Sequence, residues 1–260
     1  MPACAAHYQF GRDMLSRMDE KTRSCALAYK REYDWGLQGP DIFFFYKPCR
    51  RTKIREYGIA RHNEPAAGMF APILAKPREN AALSYLLGLI GHYALDKSIH
   101  PYIYAHSAER YWHHRMEAAY DRHIIRVCGL SARRYLYLPS GGLDYGAMAS
   151  LWPGVDAETV RKCVAAERRA TRFLDRRRFL EACEKLAGRP GVLTPITLPD
   201  DVPEEMQPHI RNLEALYEKA LDESQALIRK ALEAMGTKLQ DLAGYELNYK
   251  GEAIGQEADN

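Results

Sequence analysis

No stretch of the sequence reaches the roughly 18 consecutive apolar residues that a membrane-spanning helix needs, which excludes a helical integral membrane protein. The first residues, Met1 to Leu15, hold His7, Gln9, Arg12 and Asp13 and lack the apolar core of a secretory signal. A cytoplasmic location is therefore the expectation. Excess charge is also scarce. The net is +3 over 260 residues, too little by itself to call for a polyanionic partner. Cys-x-x-Cys spacing is absent, so Cys4, Cys25, Cys49, Cys128, Cys163 and Cys183 offer neither a thiolate zinc site nor a thioredoxin-type motif. A chain of this length buries a core without disulfide staples. The cysteines are expected as free, mostly buried thiols in a reducing compartment. Internal repeats and low-complexity tracts are missing as well.

What remains is helical periodicity, and the predicted class is all-α. Helices are expected over 5–18 and 20–34, with a break at Gly36, Gly39 and Pro40. The aromatic run Ile42 to Tyr46 is compatible with one strand, but no second run offers it a partner. A basic loop, Lys47 to Arg55, leads to a segment ending at His62, and a helix follows over 65–75. Residues 78–100 read as a buried central helix rich in Leu and Ile, ended by Pro101, which disfavours helical geometry at His100. Further helices are expected over 107–127, 156–187 and 205–235, with a loop-rich stretch around 140–154. Residues 1–236 are expected to form a single helical domain with a candidate metal site within 5–125, and 237–260 read as a polar tail, frayed over its last dozen residues.

Histidine is the informative residue. Eight of the nine lie between positions 7 and 123, and only His209 lies outside. Side chains four apart on a helix differ by about 40° around the axis, so His92 and Asp96 point the same way, with His100 near that face. His113 and Glu117 repeat the spacing on the next helix. One such pair alone reads as a hydrogen bond at a helix contact. Two consecutive helices, antiparallel across a short connection, can face a common site. Imidazole and carboxylate suit zinc and similar divalent ions. A metal also removes the cost of burying an unpaired carboxylate. His7, Asp41 and His62 come earlier and are each bland alone.

Taken together, Ala-His7-Tyr-Gln-Phe-Gly, Gly39-Pro-Asp41-Ile-Phe-Phe, His62, Gly91-His92-Tyr-Ala-Leu-Asp96, His100-Pro-Tyr and His113-x-x-x-Glu117 resemble the zinc-dependent phospholipase C family. The chain also looks related to the single-strand-specific S1/P1-type nucleases, which use a similar metal cluster. The resemblance covers roughly residues 5–125, and the C-terminal half resembles the family only in being helical. It implies that Asp41, His62, His92 and Asp96 hold one zinc. His100, His113 and Glu117 would hold a second, and His7, with Asp96 as a bridging carboxylate, would contribute to a third. In the secreted enzymes an N-terminal Trp completes the third site. Here Met1-Pro-Ala-Cys lies ahead of His7, which leaves that site incomplete or filled by water. The family places the His after the Asp a little further along than His100, so His106 is an alternative ligand. The C-terminal β domain of the secreted toxins has no counterpart in the sequence.

The implied reaction is phosphodiester hydrolysis of a phospholipid by zinc-activated water, with two or three zinc ions per chain and Asp41 orienting or deprotonating the water. A nuclease or other phosphoesterase on the same cluster is the enzymatic alternative. A helical lipid-binding protein that keeps metals only for stability is the non-enzymatic one. Phe43, Phe44, Phe45, Tyr46, Tyr102 and Tyr104 are expected in core packing before any lipid pocket. The cluster Arg168, Arg169, Arg172, Arg176, Arg177 and Arg178 reads as a solvated helix face, or as a contact for anionic lipid or nucleic acid. Peripheral membrane contact is the partner expectation that follows.

Overall fold

A computed structural model describes residues 4–48, 50–107, 111–129, 131, 138–237 and 242–253. Among these, regular structure is helical, apart from an isolated antiparallel bridge between Leu247 and Ala253. The helices are α1 (Cys4–Arg17), α2 (Glu20–Ala28), α3 (Lys30–Gly36), α4 (Lys53–Asn63), α5 (Ala66–Leu74), α6 (Asn80–Ala105), α7 (Trp112–Val127), α8 (Tyr145–Ala149), α9 (Ala157–Leu174), α10 (Arg177–Leu186) and α11 (Gln207–Ala234). Several starts are written locally. Asp19 caps the Thr22 amide, Thr52 caps Arg55 and Asp156 caps Thr159, each filling an orphan donor of a first turn.

Helix α6 is the axis of the fold. It is buried from Tyr85 through Asp96, and α1, α2, α3, α8 and α11 pack on it. Its crossing with α3 is backbone against backbone. A Cβ on Gly36 would meet the Tyr85 carbonyl at 2.2 Å, and one on Gly88 would meet the Tyr33 carbonyl at 2.1 Å. Only glycine permits that approach. The crossing sets Leu37, just beyond α3, beside the polar half of α6.

Three expectations are corrected. The run Ile42 to Tyr46 is no strand: a 3-10 helix covers Gly39–Phe45, because without a partner strand the chain closes its backbone bonds locally. Pro101 does not end the central helix, which continues to Ala105. Gly251 packs closely on that turn, where a Cβ would meet Pro101 Cγ at 2.4 Å and the Lys97 carbonyl at 2.5 Å. The turn is thus supported by tertiary contact rather than by its own hydrogen bond. The segment 242–253 is not a loose tail. Tyr245 and Tyr249 are fully buried. Pro65 offers α5 no side-chain cap, and the Ala66 and Ala67 amides donate instead to the carbonyls of Leu247 and Tyr245 at 3.0 and 2.7 Å. Residues 238–241 and 254–260 of the expected tail, and 108–110 of the helix expected over 107–127, lie outside the described residues. Cys4, Cys25, Cys128, Cys163 and Cys183 are free, with Cys163 buried and Cys183 exposed, while Cys49 lies outside the described residues. No helix among the described residues is long and apolar enough to cross a membrane.

Candidate metal centre

All eight residues singled out from the sequence converge. They form three groups, His7–His92–Asp96, Asp41–His62–His92 and His100–His113–Glu117, and within each the donor atoms lie within 4.8 Å of one another. Each could hold a metal ion. The groups are contiguous: His92 belongs to two of them, and Asp96 Oδ2 lies 3.7 Å from His100 Nδ1. Five elements deliver the side chains. α1 supplies His7, the 3-10 helix Asp41, α4 His62, and α6 with α7 the remainder.

The backbone orients three of the imidazoles. His62 Nδ1 faces the Gly58 carbonyl at 2.9 Å, His92 Nδ1 the Leu37 carbonyl at 3.1 Å, and His100 Nδ1 the Tyr249 carbonyl at 2.8 Å. A carbonyl only accepts, so each Nδ1 carries the proton. In a neutral ring the Nε2 is then a bare lone pair. Each Nε2 nevertheless faces a carboxylate oxygen: Asp41 Oδ1 at 2.8 Å from His62, Asp96 Oδ2 at 3.1 Å from His92 and Glu117 Oε1 at 3.4 Å from His100. Two acceptors face to face need a cation between them, a second ring proton or a metal. His92 Nε2 is buried and has no hydrogen-bond partner despite its nearness to Asp96. A buried ring nitrogen without a hydrogen bond, aimed among carboxylates on a ring fixed from behind by a carbonyl, is the arrangement of a metal-ligating histidine. The donor set, imidazole and carboxylate, fits a divalent metal ion.

The other contacts complete the cluster. His7 Nε2 lies 3.0 Å from Asp96 Oδ1, and the His7 and His92 rings stack at 4.3 Å. His113 Nε2 lies 3.1 Å from Glu117 Oε1, and the His100 and His113 rings stack at 5.3 Å. Gly39 makes room for His92. Its φ is +54°, and a Cβ there would lie 2.2 Å from His92 Cδ2.

Electrostatics follow from this packing. Burial alone pushes the Asp96 carboxyl up, but the charges of His92 and His100 and the His7 hydrogen bond hold it well below the usual carboxylate range. Burial likewise acts against ionisation of Glu117, and His113, His100 and His114 overcome it and hold the group well below that range. Asp41 is lowered too, its desolvation outweighed by the hydrogen bond and charge of His62. Desolvation pushes the His100 ring down, and Asp96 and Glu117 lift it to about 10. His7 goes the other way, lowered by burial and then by His92.

His106 lies outside the three groups. Its Nδ1 faces the Tyr102 carbonyl at 2.7 Å and its ring sits beside Tyr102 and His209. Of the aromatic runs, Phe43 is core and Phe44 packs against His62. Tyr104 is half exposed and lies over His100 and His113.

Several contributors lie beyond the residues singled out from the sequence. The carbonyls of Leu37, Gly58 and Tyr249 act through the backbone, which any residue supplies. Asp121, one turn beyond Glu117 on α7, is buried and accepts the Ala6 amide at 2.8 Å, holding the first turn of α1 and so His7. That i, i+4 relation to Glu117 was the available clue. Desolvation raises the Asp121 carboxyl to about 7. No family model matches the chain, and no curated protein or solved structure matches it.

Proposed function

We propose that the protein is a metal-dependent phosphodiester hydrolase that takes two or three zinc ions and cleaves phospholipids in the manner of a phospholipase C. The products are then diacylglycerol and a phosphorylated headgroup. One observation carries the reading: three donor groups are contiguous, with His92 shared between two of them and its Nε2 unpartnered. A structural zinc needs one closed set of about four donors. Eight side chains exceed that requirement and leave positions for a substrate.

Asp41, His62, His92 and Asp96 would hold one ion, His100, His113 and Glu117 another, and His7 with Asp96 a third. Bound zinc lowers the pKa of water to about 7 and, in adjacent pairs, stabilises charge on attacking and leaving oxygens. The chain's own groups divide the remaining work. Asp96 and Glu117 are buried and ionised, so they supply negative charge that fixes cations deep in the cluster. Asp41 is the more accessible carboxylate, its side chain 37% exposed with Oδ1 held by His62. Its free oxygen is the group placed to orient a water and take its proton, and its lowered pKa keeps it ionised at neutral pH.

The test is elemental analysis of the purified protein and of Asp96→Ala, with phospholipid hydrolysis assayed before chelation, after it and after zinc is restored. Two or three zinc per chain, reduced in the variant, and activity that follows the metal support the reading. Full activity in metal-free protein, or no tight metal after zinc is supplied, ends it. Hydrolysis of single-stranded nucleic acid with phospholipids untouched moves the cluster to the nuclease alternative.

A further inference from the structure

Helix α10 has two unlike faces. Leu180 and Glu184, one turn apart, are buried. The Glu184 carboxylate accepts the Gly191 amide at 2.9 Å, the Thr194 amide at 3.1 Å, the Thr194 hydroxyl at 3.0 Å and the Leu193 amide. The inner face is therefore tied to the following loop. The outer face presents Phe179, Ala182, Cys183 and Leu186, spaced as a single stripe along the helix, and all four are exposed. Phe179 is 57% exposed and Leu186 89%. Single exposed apolar residues are ordinary, but an apolar stripe on one face marks an interaction site.

Charge indicates what covers it. From Arg168 to Arg189 eight basic residues stand against three acidic ones, so this segment is more positive than the whole chain, whose net is +3. Glu184 is engaged inward, and Glu181 pairs with Arg177 at 2.9 Å. Arg176, Arg178 and Lys185 flank the stripe and are exposed, and the Arg178 guanidinium is 4.0 Å from Asp200, a contact at the limit of pairing. A second copy docked on this face would bring like charge against like. An apolar stripe edged by basic side chains is the pattern of a helix lying in the interface of an anionic bilayer.

We infer that α10 docks the protein on an anionic lipid surface, with Phe179 and Leu186 entering the acyl boundary and Arg176, Arg178 and Lys185 meeting the acidic headgroups. This stands on the surface of α10 alone and does not depend on the metal centre or its reaction.

The experiment is co-sedimentation of the full chain with vesicles of phosphatidylcholine and with vesicles of phosphatidylcholine mixed with phosphatidylserine. Binding is expected to the mixed vesicles only, and it weakens as salt is added. Arg176→Gln with Arg178→Gln weakens it by about fivefold for each charge removed. Phe179→Ser with Leu186→Ser abolishes it while circular dichroism and the melting temperature stay as in wild type, since both side chains face water. Absence of binding to the mixed vesicles overturns the inference, as does undiminished binding by both double variants. A dimer that Phe179→Ser with Leu186→Ser dissolves, in protein that ignores vesicles, assigns the face to a second copy instead.

Discussion

Replacing Gly39 with alanine probes the candidate metal centre through one methyl group. Gly39 has a φ of +54°, a conformation that costs an L-residue about 1–2 kcal/mol. The new Cβ would stand 2.2 Å from His92 Cδ2 and 2.6 Å from Nε2. Carbon atoms in contact sit about 3.5–4.0 Å apart, so the ring must retreat by on the order of 1 Å. That movement strains the His92–Leu37 hydrogen bond, itself worth about 0.5–1.5 kcal/mol. The metal-free variant should therefore lose about 2–3 kcal/mol of stability. The effect on metal should be larger. Ligand positions hold to within about 0.2 Å, and His92 serves two of the three donor groups. Loss of an orienting partner alone weakens metal affinity by about 10–100-fold, and displacement of the ring itself should reach at least the upper end. Urea melts of metal-free protein and competition titrations with a chromogenic zinc chelator measure the two quantities. Gly68→Ala is the control, since its Cβ meets nothing within 4 Å and alanine there favours helix α5. A Gly39→Ala protein that binds zinc like wild type would refute the placement of His92 in a metal cluster.

Asp121→Leu leaves the Ala6 amide buried without its acceptor, at a cost of about 1–3 kcal/mol, whereas Asp121→Asn keeps an oxygen in place. The leucine variant should melt lower and hold one ion fewer per chain, from the His7 group, with the asparagine variant near wild type; equal metal content in all three contradicts the role. Tyr93→Phe removes the hydroxyl that donates to the Gly244 and Leu247 carbonyls, both at 3.1 Å, and should loosen the segment 242–253. Hydrogen exchange at Ala66 and Ala67, whose amides rest on that segment, should then quicken, and unchanged protection at both sites argues against the clasp. Metal-free protein should respond to pH on both sides. The folded His100 pKa is raised to about 10 from an ordinary value of about 6.5, so its stabilisation is complete below the lower value and is lost as pH rises through the higher. Asp96 and Glu117 are depressed, so theirs is present above the ordinary carboxylate range and is lost on acidification. Chemical melts across pH with and without zinc test this, because metal replaces the proton on these rings and should remove the alkaline decline.

The helical class and the paired spacings were legible because they are local. His92 with Asp96, and His113 with Glu117, follow from one period of one helix. Convergence of His7, Asp41 and His62 on that face was available only through resemblance, since nothing in their neighbourhoods encodes a contact across the fold. The misreadings share a cause. Pro101 obeys a local rule that Gly251, distant in sequence, overrides by packing on its turn. The segment 242–253 looks polar by composition, yet Tyr245 and Tyr249 carry it into the core. Backbone carbonyls that aim the imidazoles leave no residue-type signature at all.

The hydrogen bond from His100 to the Tyr249 carbonyl spans 149 positions of the chain. Synthesis runs from the amino end, and domains generally fold as units once their sequence has emerged. His7, Asp41, His62 and the α6–α7 pair leave the ribosome long before Tyr249 does. Until Tyr249 arrives, His100 has no carbonyl to select its tautomer, and α5 lacks the acceptors for its first amides. A nascent chain thus carries a half-aimed set of ligands, and the geometry that suits a metal appears only when translation has passed residue 249. Any loading of the candidate centre with metal would thereby wait for Tyr249, and a fragment stalled earlier exposes histidines without presenting the finished arrangement.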